Sequence, residues 1–285
     1  MKFDVIVGNP PYNDDGNNEN GSGRSIWPKF LKKSLDFLKE DGYLSLIHPP
    51  KWRKVSSRNW KLITEHQVHY LEMHDAKDGQ KTFKCNVSFD WYVLQKKRPY
   101  TYTIISDVER KLNKIKLYEK TWLPSFNLDL IDKLSAKGNE KSCQIINTDY
   151  YGTDKSWVSK DKTKEYKYPV ILGYKDNKYR LCYTSIKKGQ FGEPKVICNS
   201  GAYLHPLNDF EGKYGMNKNW FGISITSKKE GDEIVKALNT KEGKLFLKTL
   251  ITDSHGGFDP FTFKKFKKDF WKYFVDENGN EIDEI

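Results

Sequence analysis

The sequence predicts an α/β fold over residues 1–115, followed by a separate α+β domain over residues 116–285. Three observations lead there. Apolar, β-branched runs alternate with amphipathic helical segments in the first hundred residues. Two of those runs stop abruptly at tandem prolines. Beyond about residue 115, short strand-like pieces lie among many turn residues, and two helical segments follow.

Residues 3–7 form a short apolar run that ends at Gly8 and reads as a buried strand. It leads into Asn9-Pro10-Pro11-Tyr12, where two prolines forbid continuation of strand or helix. Residues 14–24 are rich in Asn, Gly, Asp and Ser and read as a mobile loop. Ile26, Trp27, Phe30, Leu31, Leu35 and Leu38 recur at three- and four-residue spacing, which predicts a helix over 25–39 stopped by Asp41-Gly42. A second strand over 43–48 ends at His48-Pro49-Pro50. A helix over 58–66, a strand over 68–73 and a β-rich run over 87–95 follow, the last two reading as a hairpin. In the second part, strands are expected at 169–173, 195–198 and 222–226, and helices at 229–239 and 242–252. Ser227 and Glu230 have the spacing of a capping box. The acidic end, residues 276–285, is expected to fray.

The composition narrows the class. A mean hydropathy of −0.78 with 31% charged residues is that of a soluble chain. No apolar run approaches the roughly 18 residues that a membrane span needs, and the start lacks a signal-peptide pattern, so a cytoplasmic location is expected. Four scattered cysteines make neither a disulfide framework nor a zinc site. The net charge of +11, with 14% aromatic residues, suits a surface that contacts phosphates and stacks on bases. A solvated lysine surface over an aromatic core fits the composition equally well.

Chemistry concentrates at Asn9-Pro10-Pro11-Tyr12. The lone pair of an exocyclic amine such as adenine N6 is delocalised into the ring and attacks a methyl sulfonium poorly. Two acceptors aimed at its hydrogens pull the nitrogen towards a more nucleophilic, tetrahedral state. The Asn9 side-chain oxygen and the Pro10 carbonyl can supply them, Pro11 stiffens the loop, and Tyr12 offers a face for an extruded base. The competing reading is a plain Pro-Pro turn after a strand.

This motif after an apolar strand resembles the catalytic motif of amino-methyltransferases that use S-adenosylmethionine (SAM). The wider pattern resembles the adenine-N6 DNA methyltransferases of restriction–modification systems, including the Eco57I-like group. Residues 42–53 are similar to that group's next strand and turn, residues 82–95 to its later hairpin, and residues 192–197 and 209–215 to its target-recognition region. The resemblance implies the C-terminal part of a Rossmann-like methyltransferase sheet followed by a target-recognition domain. It implies methyl transfer from SAM to N6 of a flipped-out adenine, with Asn9 and Pro10 on the amine and Tyr12 and Phe83 sandwiching the ring. Phe89 and Trp91 compete with Phe83 for that place. The implied partners are double-stranded DNA and a cognate restriction endonuclease.

Such enzymes bind SAM through a Gly-rich turn after their first strand and an acidic residue after the second, both ahead of the motif. Only eight residues precede it here. The expectation is a chain without the SAM-binding half, in which only Asn9 and Pro10 approach the donor. Alone it would bind SAM poorly, and a separate chain would supply the rest. A fragment, a split enzyme and a decayed remnant all fit.

Other constellations carry less. His66, His69 and His74 with Asp75 match no metal spacing, and no metal is expected. Asp209, Glu211 and Lys213 contain the Glu-x-Lys fragment of nucleases, which is common by chance. Residues 254–257 read as a loop. Lys264, Lys265, Lys267 and Lys268, with Phe270 and Trp271, form a candidate phosphate-contacting patch, or else a solvated helix face. The rival functions are methylation of an RNA base or a protein glutamine, and a DNA-binding specificity module that transfers nothing.

Overall fold

The computed structural model describes residues 2–14, 24–201, 204–253, 256–276 and 279–282. The interior of the predicted 14–24 loop, Ser254 and His255 of the 254–257 loop, and part of the acidic end lie outside the described residues. The chain forms two units, Met1–Asn127 with Ile251–Gly257, and Leu128–Leu250 with Phe258–Ile285. The change of composition near residue 115 falls inside the first. No helix among the described residues is long and apolar enough to cross a membrane.

The first unit runs β1 (Phe3–Gly8), α1 (Trp27–Phe37), β2 (Leu38–His48), α2 (Trp60–Thr64), β3 (Gln67–His74), α3 (Ala76–Phe83), β4 (Phe89–Gln95), β5 (Thr103–Ser106) and β6 (Leu112–Ile115). The strands form one mixed sheet in the order β1-β2-β4-β3-β5-β6, with β1 parallel to β2 and β3 antiparallel to β4. One face supplies the core. Leu44, Leu46 and His48 of β2, Leu71 and Met73 of β3, and Tyr92 and Leu94 of β4 are all buried at alternate positions. On α1, Trp27, Leu31 and Leu35 recur at i, i+4 and i+8 and are buried, with Trp27 stacked on His48 at 4.2 Å and 10°.

Two expectations are corrected here. The predicted helix over 25–39 ends at Phe37, because Leu38 already pairs with Phe3 and Lys39 reaches the Asp4 carboxylate at 2.8 Å. Asp41, at φ 61°, then lies within β2, where the register with β1 shifts, and it does not stop the helix. The strand at residues 3–7 exists but is not buried. Phe3, Val5 and Val7, at alternate positions on one face of this edge strand, are 40%, 59% and 76% exposed.

The second unit runs α4 (Leu128–Leu134), β7 (Ile145–Ile146), β8 (Val158–Ser159), β9 (Tyr168–Lys175), β10 (Lys178–Thr184), β11 (Lys195–Asn199), β12 (Leu207–Asp209), β13 (Gly215–Met216), β14 (Trp220–Ser224), α5 (Lys228–Asn239) and α6 (Lys241–Thr249). It holds two four-stranded sheets, β13-β9-β10-β8 and β12-β11-β14-β7. Ile171, Ile197, Met216 and Trp220 form one core between these strands. Phe246 packs on Phe263, Phe266, Phe270 and Phe274 at 5.0–6.1 Å between ring centroids. Each such pair adds roughly 0.5–1.5 kcal/mol beyond its buried area. Half of the expected capping box forms: Ser227 Oγ accepts from Glu230 N at 3.1 Å, while Glu230 Oε2 reaches one residue further back and accepts from Thr226 N at 2.6 Å. The helix expected over 242–252 closes at Thr249, whose hydroxyl donates to Phe246 O.

Candidate active site

Parallel pairing of β1 with β2 sends both Pro-Pro turns out at the carboxyl ends of these strands, on one end of the sheet. Gly8, opposite Leu46, leads into Asn9-Pro10-Pro11-Tyr12, and His48 leads into Pro49-Pro50. Four prolines therefore remove four backbone donors from one rim, leaving it rich in carbonyl acceptors. The Asn9–Tyr12 loop is anchored at its far end, where Ile26 N donates to Tyr12 O at 3.0 Å and Asn13 forms an antiparallel bridge to Ser25.

A cavity of about 490 Å³ opens at this rim. Asn9, Pro10, Pro11, Tyr12 and Phe83 all line it, joined by Trp27, Lys51 and the segment 85–87. Asn9 and Pro11 are exposed, while Tyr12 and Phe83 are half-buried. Phe89 is buried, stacked on His74 at 4.2 Å and edge-on to Phe83 at 4.8 Å, and Trp91 lies against Tyr70; neither lines the cavity. The rim segment after α3 is set by Gly79 and by Lys84, whose φ of 57° turns the chain back from the helix end.

A buried polar cluster adjoins two of the lining residues, Trp27 and Pro49. His48 Nε2 and Tyr92 Oη are 3.1 Å apart, and His48 Nδ1 lies 3.1 Å from Pro49 O. Burial pushes the His48 pKa down to about 4, so the ring is neutral. Its Nδ1–H then donates to Pro49 O while Nε2 accepts from Tyr92. Asp90 Oδ2 accepts from Trp52 Nε1 and from Arg53 Nε, both at 2.8 Å, with Asp90 and Arg53 fully buried. Burial pushes the Asp90 carboxyl up, against the opposing pull of Arg53. Arg53 also donates to Pro124 O at 3.0 Å, tying the turn after β2 to the end of this unit. The Tyr12 hydroxyl, Trp27 Nε1 and Asp90 Oδ1 are buried without a hydrogen-bond partner. Burial, then the Asp90 charge, then Cys85 push the Tyr12 phenol up to about 12, so it stays protonated.

The other predicted residues lie elsewhere. Lys264 and Lys268 are exposed, Lys265 and Lys267 half-buried. Lys267 Nζ lies 3.6 Å from Glu140 and Lys268 Nζ 3.9 Å from Glu230. Asp209 is engaged within the second unit. It is buried, pairs with the buried Lys195 at 2.8 Å and accepts from Lys213 N at 2.7 Å. His69 bonds Gln95, and His74 lies between Glu72 and Asp78. Among the described residues, no group of three His, Cys, Asp or Glu side chains is placed to hold a metal ion. Sequence reasoning missed Trp27, Lys51 and residues 85–87 as cavity walls. The shared signal was the second strand-then-Pro-Pro run at His48-Pro49-Pro50.

Residues 1–83 match the family model described as Eco57I restriction-modification methylase. A 94-residue stretch is 37% identical to an uncharacterized adenine-specific methylase of Mycoplasma pneumoniae, covering 32% of this chain and 19% of that protein. The matched stretch spans about a fifth of the length of that curated relative. Among solved structures, the chain is similar to the type IIL restriction-modification enzyme MmeI, solved in complex with DNA. That match has 11% identity and a TM-score of 0.47, and covers 92% of this chain and 45% of that one. A modification subunit of a putative type I restriction enzyme from Vibrio vulnificus YJ016 aligns at 14% identity and a TM-score of 0.29, over 36% of this chain and 25% of that one. The Eco57I-like part thus contains the whole Asn9–Tyr12 loop, and its matched range ends at Phe83.

Proposed function

We propose that this chain carries the amine-binding and target-recognition parts of a restriction–modification DNA methyltransferase acting on N6 of a flipped-out adenine. The observation that carries the reading is the convergence of Asn9, Pro10, Tyr12 and Phe83 on one cavity beyond the carboxyl ends of β1 and β2. Asn9 Oδ1 and the Pro10 carbonyl accept from the two amine hydrogens, and the proline rim offers no competing donor. Tyr12 and Phe83 hold the flat base, and Tyr12, protonated to about pH 12, carries no charge to repel it. The amine loses its proton after transfer, so the site needs no strong general base. The first unit is the catalytic part and the second reads the DNA sequence.

When bound, SAM supplies the methyl group. The described residues do not form its cradle. The turns that follow β1, β2 and β3 are Asn9-Pro10-Pro11, Pro49-Pro50 and Asp75, none with the glycines that let a backbone approach a nucleotide closely. We infer that the donor is held by a further segment or chain that adds a strand to the open edge of β1, and that a restriction endonuclease accompanies the system. The test is transfer of labelled methyl groups from SAM to unmethylated DNA, by this chain alone and with the product of the adjoining upstream coding region. The expected result is label on adenine in the mixture, falling at least about a hundredfold in Asn9→Ala while DNA binding is retained. Label on cytosine or on protein, or full activity in Asn9→Ala, would overturn the reading.

A further inference from the structure

A large excess of positive charge in the second unit lies away from the lysines singled out in the sequence. Residues 155–188 hold ten Lys or Arg against three Asp or Glu, which is most of the chain's net +11. In the structure this stretch is β8, β9, β10 and the loops between them. Thr184 of β10 pairs with Val158 on one side and Tyr168 on the other, so residues 156–157, 166–168 and 185–188 gather at one end of the sheet. The Tyr166 hydroxyl, donating to Ser156 O at 3.0 Å, folds the lysine-rich loop back onto that end.

There Lys187 Nζ sits 4.9 Å and Lys167 Nζ 5.3 Å from the centre of the same ring, Tyr168, and Lys188 Nζ sits 5.0 Å from that of Tyr150. Lys160, Lys162, Lys164, Lys167, Lys187 and Lys188 are exposed, and none makes an ion pair with a described residue. Ring faces orient these ammonium groups without neutralising them, so two cations share one ring and repel each other. In the 264–268 cluster, Lys267 and Lys268 differ, because Glu140 and Glu230 already face them. Around the β8–β9–β10 end, Tyr150 and Tyr168 are half-buried beneath lysines and leave little free face for stacking a base. That arrangement fits a duplex, which presents phosphates, better than a single strand, which presents bases.

We propose that this lysine-capped end of the β8–β9–β10 sheet is the surface on which the phosphates of double-stranded DNA dock. The proposal rests on the DNA-methyltransferase reading above. It is tested by fluorescence anisotropy of the full chain with a short labelled duplex over a salt series. Removing one lysine–phosphate pairing should shallow the slope of log affinity against log salt by about 0.9. The variant K167Q/K187Q/K188Q is expected to bind about tenfold or more weakly at low salt, with the slope shallower by about 2 to 3. A variant in the exposed loop, K160Q/K162Q/K164Q, should move the same way, and K264Q/K265Q/K267Q/K268Q should keep the wild-type slope. The proposal is overturned if the first two variants bind as the wild type does, or if the weakening appears in the third instead. Tighter binding of single-stranded RNA or of anionic vesicles than of the duplex at equal salt would overturn it too. Methyl transfer to DNA with unchanged duplex binding in K167Q/K187Q/K188Q would sink this surface alone. Failure of the wild-type chain to bind any duplex would sink the functional reading with it.

Discussion

At the scale of single residues, His48 has the most to say about stability. It is fully buried, stacked on Trp27 and bonded at both ring nitrogens, and burial holds its pKa at about 4 against an ordinary 6.5. The unfolded chain therefore takes up a proton at His48 before the folded one does. The contribution is complete above pH 6.5 and is lost as the pH falls towards 4, amounting to roughly 3 kcal/mol over that window. Denaturant midpoints measured from pH 7 to pH 4 should fall more steeply for the wild type than for His48→Gln. Equal slopes would show that the ring does not stay neutral in the fold. Because His48 opens directly into Pro49-Pro50, the same titration would loosen the rim of the cavity.

Among the elements, α3 shapes the cavity, ending at Phe83 on its wall and holding the segment 85–87 against Gly79. A Cβ added at Gly79 would run into the Val87 carbonyl oxygen, so the segment 85–87 must move to admit it. Gly79→Ala is expected to destabilise the first unit by about 1–3 kcal/mol and to lower methyl transfer more than DNA binding. Gly173→Ala, where a Cβ meets nothing within 4 Å, is the control and should alter neither. Thermal unfolding and the transfer assay check both, and an unchanged midpoint in Gly79→Ala would refute the close fit. This helix is also illegible in the sequence. Residues 76–83 show no apolar stripe, and the helix stands on the Asp75 side chain, which accepts from Lys77 N and Asp78 N, and on the tight approach at Gly79. The two short strands β5 and β6 are hidden for a similar reason, being too brief to show a period. By contrast, α1, β2 and the β3–β4 hairpin follow directly from spacing. The loop Asn9–Tyr12 is readable because its chemistry needs four consecutive residues. Trp27, Lys51 and residues 85–87 are not, because they converge from separate elements. Periodicity also cannot tell that β1 is exposed, since it reports an apolar strand and not whether anything pairs with its outer side.

For the whole molecule, the open edge of β1 matters most. An unpaired strand with Val5 and Val7 in water is a template for another chain. The isolated chain is expected to associate as its concentration rises, with Val5→Lys/Val7→Lys remaining monomeric in size-exclusion light scattering. The same double variant should lose activity in the two-component transfer assay, because the edge it blocks is the one to be completed. A wild-type chain that stays monomeric at high concentration would remove the edge from consideration.

The three prolines that line the cavity, Pro10, Pro11 and Pro49, have one further consequence. Each fixes its own φ near −65° and restricts the residue before it. The entropy of ordering this rim is therefore lost when the protein folds, not when a ligand arrives. Such a mouth selects by shape: a planar ring enters a slot that is already set, and a bulkier guest finds no backbone willing to give way.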